Sequence, residues 1–113
     1  MIKGDVYLAE LGSTQGSEQA GIRPVIIVSR DAINRVSPVV IVVPLAHRRN
    51  KGKLFPSHVE IITGDGGLTA DSVALCEQVR AISTTHLIKP LGHLTESVVS
   101  QINVALKVVL DLP

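Results

Sequence analysis

Aromatic side chains are nearly missing from this chain: Tyr7 and Phe55 are the only two, and tryptophan is absent. Its core must therefore be aliphatic, and a single-stranded nucleic acid would find few rings on which to stack its bases. Cysteine is as scarce. Cys76 stands alone, so no disulfide can form within the chain, which fits a reducing compartment. No apolar stretch reaches the roughly 18 residues that a membrane-spanning helix needs. The N-terminus also lacks the charged and then apolar layout of a secretory signal. Together these absences point to a soluble, cytoplasmic protein with no membrane association. Charge of one sign is missing too. The formal net charge is +1, so any surface built for nucleic acid has to be local. Among His47, His58, His86 and His93 no pair has metal-binding spacing, such as two histidines one helical turn apart. No cofactor or metal is expected, and structural roles are assigned to His58, His86 and His93. Cys76 lies among aliphatics and reads as a buried, inert thiol.

What is present is enough for one domain spanning residues 1–113. Hydrophobic residues make up 45% of the chain, and that length supports a core without disulfide or metal staples. Gly4 to Leu11 alternates as a strand, with Val6 and Leu8 on one face and Tyr7 and Ala9 on the other. A loop follows from Gly12 to Arg23. Val25 to Ser29 is apolar on both faces and predicts a central, doubly covered strand. Arg30 to Ser37 is a polar connection with room for one helical turn, and Val39 to Leu45 is the next strand. Residues 46–56 turn basic and turn-forming and predict an exposed loop. His58 to Ile62 and Ser72 to Ile82 complete five strand-like runs, separated by the turn Thr63–Gly67. The period then changes. Val98, Val99, Ile102, Ala105, Leu106, Val109 and Leu110 recur at steps of three and four, which predicts an amphipathic C-terminal helix. Thr95 is placed to cap it and Glu96 to favour the positive end of its dipole. Leu94 and Val99 stand where a hydrophobic staple needs them. The residues alone thus predict a small, mainly β domain with a terminal helix.

The stretch on which function turns is Gly16-Ser17-Glu18-Gln19-Ala20-Gly21-Ile22-Arg23-Pro24. Two glycines bracket a polar loop, and Pro24 fixes the entry to a buried strand. Arg23 stands at the mouth of that strand with a permanent positive charge. This stretch resembles the signature of the MazF/PemK family of toxins. Lys3-Gly4-Asp5-Val6-Tyr7 is similar to the start of that family. Gly67-Leu68, Asp71-Ser72-Val73 and Cys76-Glu77-Gln78-Val79-Arg80 are similar to its later core strand. The resemblance covers nearly the whole chain and implies a small SH3-like barrel with a C-terminal helix, usually a homodimer. It also implies a sequence-specific endoribonuclease, an mRNA interferase that cuts single-stranded RNA without metal and is neutralised by an antitoxin of the MazE kind.

The implied reaction is attack of a ribose 2′-hydroxyl on the neighbouring phosphate, leaving a cyclic phosphate and a 5′-hydroxyl. It needs a base, an acid and positive charge at the phosphorane. Arg23 matches the family's catalytic arginine. Its fixed fork suits phosphate oxygens, and its pKa makes it a charge stabiliser and a poor proton shuttle. A structural arginine paired with Glu18 or Asp5 is the alternative. Ser17, Glu18 and Gln19 match the family's RNA-binding loop; Glu18 serves equally well as an acceptor holding that loop together. Glu77 and Gln78 match an acidic and an amide residue of the family, and in some relatives the acid is the general base. Strand alternation sets Glu77 and Gln78 on opposite faces, so both reach RNA only across a bulge. The only basic run, Arg48, Arg49, Lys51 and Lys53, offers a phosphate contact that is mobile until RNA or a partner orders it.

The chain also departs from the family. Ala46 takes the place of the threonine that assists the arginine, and alanine has no hydroxyl to offer a phosphate. His47 next door has the right chemistry to replace it, on one condition: the strand must end by Leu45 or bulge, because neighbours on a strand face opposite ways. Leu75 stands where some relatives carry a further arginine. Two other readings therefore stay open. One is a catalytically impaired member that binds RNA or antitoxin only, favoured by Ala46 and Leu75. The other is a gyrase poison, since a related toxin family shares the fold.

Overall fold

The structure is a computed structural model that describes every residue except Thr14, Gln15, Ser17 and Glu18. The predicted Ser17 and Glu18 contacts lie outside the described residues. The strands are β1 (Asp5–Glu10), β2 (Ile22–Ile27), β3 (Val39–His47), β4 (His58–Ile61), β5 (Ser72–Leu75), β6 (Arg80–Ser83) and β7 (Leu87–His93). Two α-helices join them, the short α1 (Asp31–Val36) and the C-terminal α2 (Glu96–Leu110). All pairings are antiparallel, in the order β4-β5-β3-β2-β1-β7, with β6 also pairing β3.

Both faces of this sheet are covered, as the apolar β2 run requires. Val6, Ile26, Val43, Leu45, Ile61 and Ala74 meet Ile102 and Ala105 of α2 on one face. Ala9, Val25, Ile27, Val40 and Val42 form a second cluster on the other, with Tyr7, Ile82 and Leu87. Helix α2 lies where its apolar period predicts. Its terminal Leu110 is exposed, together with Val104 and Val108. Its start is held differently from expectation. Thr95 does not cap with its own side chain; the Asp65 carboxylate accepts the Thr95 amide at 2.9 Å and its hydroxyl at 3.0 Å.

Two strand predictions need correction. The run Ser72–Ile82 is not one strand: a 3-10 turn at Cys76–Gln78 divides it into β5 and β6, both paired to β3. Strand β7 has no signal in the sequence. It carries Pro90 and Gly92, which an edge strand tolerates, and it pairs only with β1, through two register shifts. The sheet is barrel-like but does not close, since β4 and β7 end the pairing order. The turn at Gly66 and Gly67 lies across the gap. A Cβ on Gly67 would stand 1.9 Å from the Leu91 carbonyl oxygen of β7, and the residue has φ of +73°. Only glycine allows that approach.

Candidate active site around Arg23

Arg23 sits at the start of β2, opposite Ala9 of β1. The β2–β3 register runs Val25 to Pro44 and Ile27 to Val42. The pairing ends there, and Leu45–His47 pair with β5 instead. Arg23 and Ala46 both border one cavity of about 170 Å³ at the strand ends. The position left without a hydroxyl thus lies on the same cavity as the arginine. Among the described residues the guanidinium is held by one bond, Nε donating to the Ala20 carbonyl at 2.9 Å. Its two terminal nitrogens make no hydrogen bond or ion pair with another described residue. Asp5 is occupied elsewhere: it accepts from the Ile2 amide and meets His93 Nδ1 at 2.8 Å.

The 3-10 turn at Cys76–Gln78 resolves the alternation problem. It replaces the strand where Glu77 and Gln78 would have faced apart. Gln78 Oε1 accepts the Gln19 amide at 2.7 Å, which ties the second half of the Gly16–Arg23 loop to the sheet. Arg80 adds a bond from Nη2 to the Gln19 carbonyl at 2.8 Å. Glu77 is exposed, and its Oε2 lies 3.1 Å from Nε2 of His58. His58 Nδ1 accepts the Phe55 amide at 3.1 Å. That acceptor role fixes the ring proton on Nε2, which donates to Glu77. Leu54, next to Phe55, packs on Ala46, Val73 and Leu75.

The contacts therefore form a chain. It runs from Arg23 through Ala20 and Gln19 to Gln78 and Glu77, and on through His58, Phe55 and Leu54 to the cluster of Ala46, Val73 and Leu75. His58 and Phe55 join the site through a contact that no local pattern signals, since His58 and Glu77 lie 19 positions apart.

Two expectations about the site require correction. His47 does not meet the condition set for it. Strand β3 continues to His47, with Leu45 opposite Ala74, Ala46 opposite Val73 and His47 opposite Ser72. That register is unbroken, so the His47 side chain shares the face of Leu45 and not of Ala46, although His47 borders the same cavity. Arg48 is no free phosphate contact either. Its Nε pairs with Glu60 at 2.5 Å, its Nη1 donates to the Lys51 carbonyl at 2.7 Å, and its own amide bonds Asp71. These bonds engage Arg48 within its own loop and with β4. Arg49, Lys51 and Lys53 have no side-chain partner among the described residues.

Cys76 is fully buried, and desolvation, assisted by the Glu77 carboxylate, pushes its thiol up to about 12. Asp71, exposed at the surface, is lowered by the Thr63 hydroxyl and amide bonds to its carboxylate. Among the described residues no three His, Cys, Asp or Glu side chains gather as metal ligands. Among them, too, no helix is long and apolar enough to cross a membrane.

The fold is a barrel-like antiparallel sheet with an arginine fork that no other described residue engages at its terminal nitrogens, and comparison with known proteins gives the family. The family described as PemK-like, MazF-like toxin of type II toxin–antitoxin system matches residues 2–110. A protein named Endoribonuclease MazF, from Staphylococcus saprophyticus, is 45% identical over 112 residues, covering 99% of this chain and 92% of its own. A solved mycobacterial endoribonuclease in complex with its cognate antitoxin superposes with a TM-score of 0.82 at 28% identity, covering 100% of this chain and 97% of its own. The fold is shared as well with MazF from Deinococcus radiodurans, with a TM-score of 0.83 at 20% identity over 99% of this chain and 97% of that one. The chain belongs to the MazF/PemK family of type II toxins.

Proposed function

We propose that this protein is a cytoplasmic, metal-independent endoribonuclease that cuts single-stranded RNA at sites set by sequence, with Arg23 at the reacting phosphate. The observation that carries the reading is the Arg23 guanidinium itself. It is oriented through Nε by Ala20, and its terminal nitrogens have no partner among the described residues. Two parallel N–H groups of such a fork match two non-bridging phosphate oxygens. As the 2′-oxygen attacks phosphorus and the P–O5′ bond breaks, charge grows on those oxygens, and a fixed donor pair stabilises it more than the ground state. Glu77, whose Oε2 is oriented by His58, takes the 2′-hydroxyl proton as general base. The 5′-oxygen leaves and takes a proton from solvent water, giving a 2′,3′-cyclic phosphate and a 5′-hydroxyl. Gln19 and Gln78 steady the loop that carries this site, with Ser17 and Glu18 in the same RNA-binding stretch. Arg49 and Lys51 supply phosphate contacts at its edge.

The protein acts as a homodimer and is neutralised by a MazE-like antitoxin. The mycobacterial relative solved with its cognate antitoxin supports the second statement. The test is incubation of the purified protein with long mixed-sequence RNA in EDTA, followed by mapping of the ends. Discrete internal cuts with 5′-hydroxyl ends are expected. Cleavage that disappears on chelation and returns with a divalent ion would overturn the metal-free mechanism. RNA bound but left whole would favour the impaired, binding-only reading that Ala46 motivates.

A further inference from the structure

Phe55 is one of two aromatic residues in the chain, and its side chain stands in the open: the residue is 57% exposed. A scattered surface apolar residue needs no explanation by itself. The placement of this one does. Its neighbour Leu54 packs on the cluster of Ala46, Val73 and Leu75, and Ala46 borders the same cavity as Arg23. Its ring meets the His58 imidazole edge-on, with centroids 5.6 Å apart and planes at 66°. Its backbone amide fixes the His58 tautomer, and His58 in turn holds Glu77. Both the Phe55 amide and the Phe55 ring are thus engaged in orienting one imidazole, and that engagement fixes the ring in place. An edge-on partner occupies the rim of a ring or one part of its surroundings and leaves a π-face available.

We propose that Phe55 is a stacking platform for a nucleobase flanking the scissile phosphate, and that the Phe55–His58–Glu77 contacts tie the position of that base to the carboxylate serving the reaction. This rests on the RNA reading of the Arg23 site and adds a base subsite to it. The ligand is a base of a single strand, since stacking requires a face freed from its neighbours. Every base has such a face, so the subsite contributes affinity and alignment more than hydrogen-bond specificity, with purines favoured by their larger area. It also answers the shortage of aromatics: one ring, at the site, suffices for one base.

The chain has no tryptophan, so Phe55→Trp installs a single reporter at the platform. The experiment titrates this variant with 2′-O-methyl oligonucleotides, which bind without a 2′-hydroxyl to attack, while labelled-oligonucleotide anisotropy follows binding in parallel. Saturable quenching that tracks the anisotropy is expected, stronger with oligo-A than with oligo-U. Phe55→Ala should weaken binding about tenfold, within the range for loss of one stacked base. Phe55→Tyr should restore it and Phe55→Leu should not. Because the ring is largely in solvent, none of these variants should shift Tm appreciably. Binding by anisotropy with unchanged tryptophan emission, or full affinity in Phe55→Ala, would overturn the platform and leave the RNA reading standing. No binding of any oligonucleotide by folded wild-type protein would overturn both.

Discussion

Ala46→Thr is the substitution whose outcome depends most on the geometry of the site. Ala46 is 6% exposed and packs with Val73, Leu75 and Leu54. Threonine adds a methyl and a hydroxyl to that contact. It suits a strand, but in a filled space two extra heavy atoms cost about 1–3 kcal/mol of stability. Leu54 is the neighbour able to yield, since it is only partly buried and sits on a loop. On the side of function, the new hydroxyl stands at the cavity that Arg23 also borders, where it would give the phosphate a second donor. We expect the cleavage step to quicken about tenfold, equivalent to about 1.4 kcal/mol. The two effects separate in practice. A protein of ordinary stability, about 5–15 kcal/mol, stays folded at 25 °C after such a loss, so its rate reports the site while its Tm reports the packing. The assay is single-turnover cleavage of a fluorogenic RNA at saturating protein, with thermal unfolding alongside. A faster cut with a Tm lowered by several degrees is expected. A folded Ala46→Thr variant with an unchanged rate would refute the placement of Ala46 opposite the reacting phosphate. His47→Ala is the companion variant. Its side chain faces the other way by register, so its rate should stay within about threefold of wild type; abolished cleavage would mean that His47 has taken the threonine's place.

Two further predictions test the frame that holds the site. Gly67→Ala forces a Cβ onto the Leu91 carbonyl and strains a positive φ, so it should cost on the order of 3 kcal/mol or more. That loss would lower Tm by about 10 °C in calorimetry, and an unchanged Tm would mean that the turn does not lie against β7. Cys76 should resist iodoacetamide at pH 8 until the protein unfolds, because burial holds the thiol at about 12 against its ordinary 9.0. Since the folded value is the higher one, its contribution to stability is complete below pH 9 and is lost as pH rises towards 12. Cys76→Ser should remove that part of the alkaline loss in denaturant titrations, and an identical pH profile would refute the assignment.

The sequence made some of this legible for identifiable reasons. Glycine and proline punctuate the Gly16–Pro24 loop, and an apolar run on both parities announces β2, so the position of Arg23 is a local property. The absence of a hydroxyl at Ala46 is equally local. The chain of contacts around them is not. The bond between Gln19 and Gln78 joins residues 59 positions apart, and that between His58 and Glu77 joins residues 19 apart. No short-range pattern encodes either. Alternation also misled at Glu77 and Gln78, because nothing in Cys76-Glu77-Gln78 announces a 3-10 turn inside an apolar run. Strand β7 was hidden by Pro90 and Gly92, which its edge position permits. Arg48 looked like its basic neighbours until Glu60 and two loop carbonyls claimed it.

The central claim is that the Arg23 fork stabilises the phosphorane, and the most direct test is single-turnover RNA cleavage by Arg23→Ala and Arg23→Lys, with circular dichroism and Tm recorded for both. Among the described residues the side chain is held by a single bond, at a strand mouth, so both variants should fold as wild type does. Removal of one such donor group costs about 100- to 1,000-fold in rate, and lysine, which keeps the charge but loses the fork, should recover little of it. Cleavage by Arg23→Ala within about threefold of wild type would contradict the account and take Arg23 out of the chemistry.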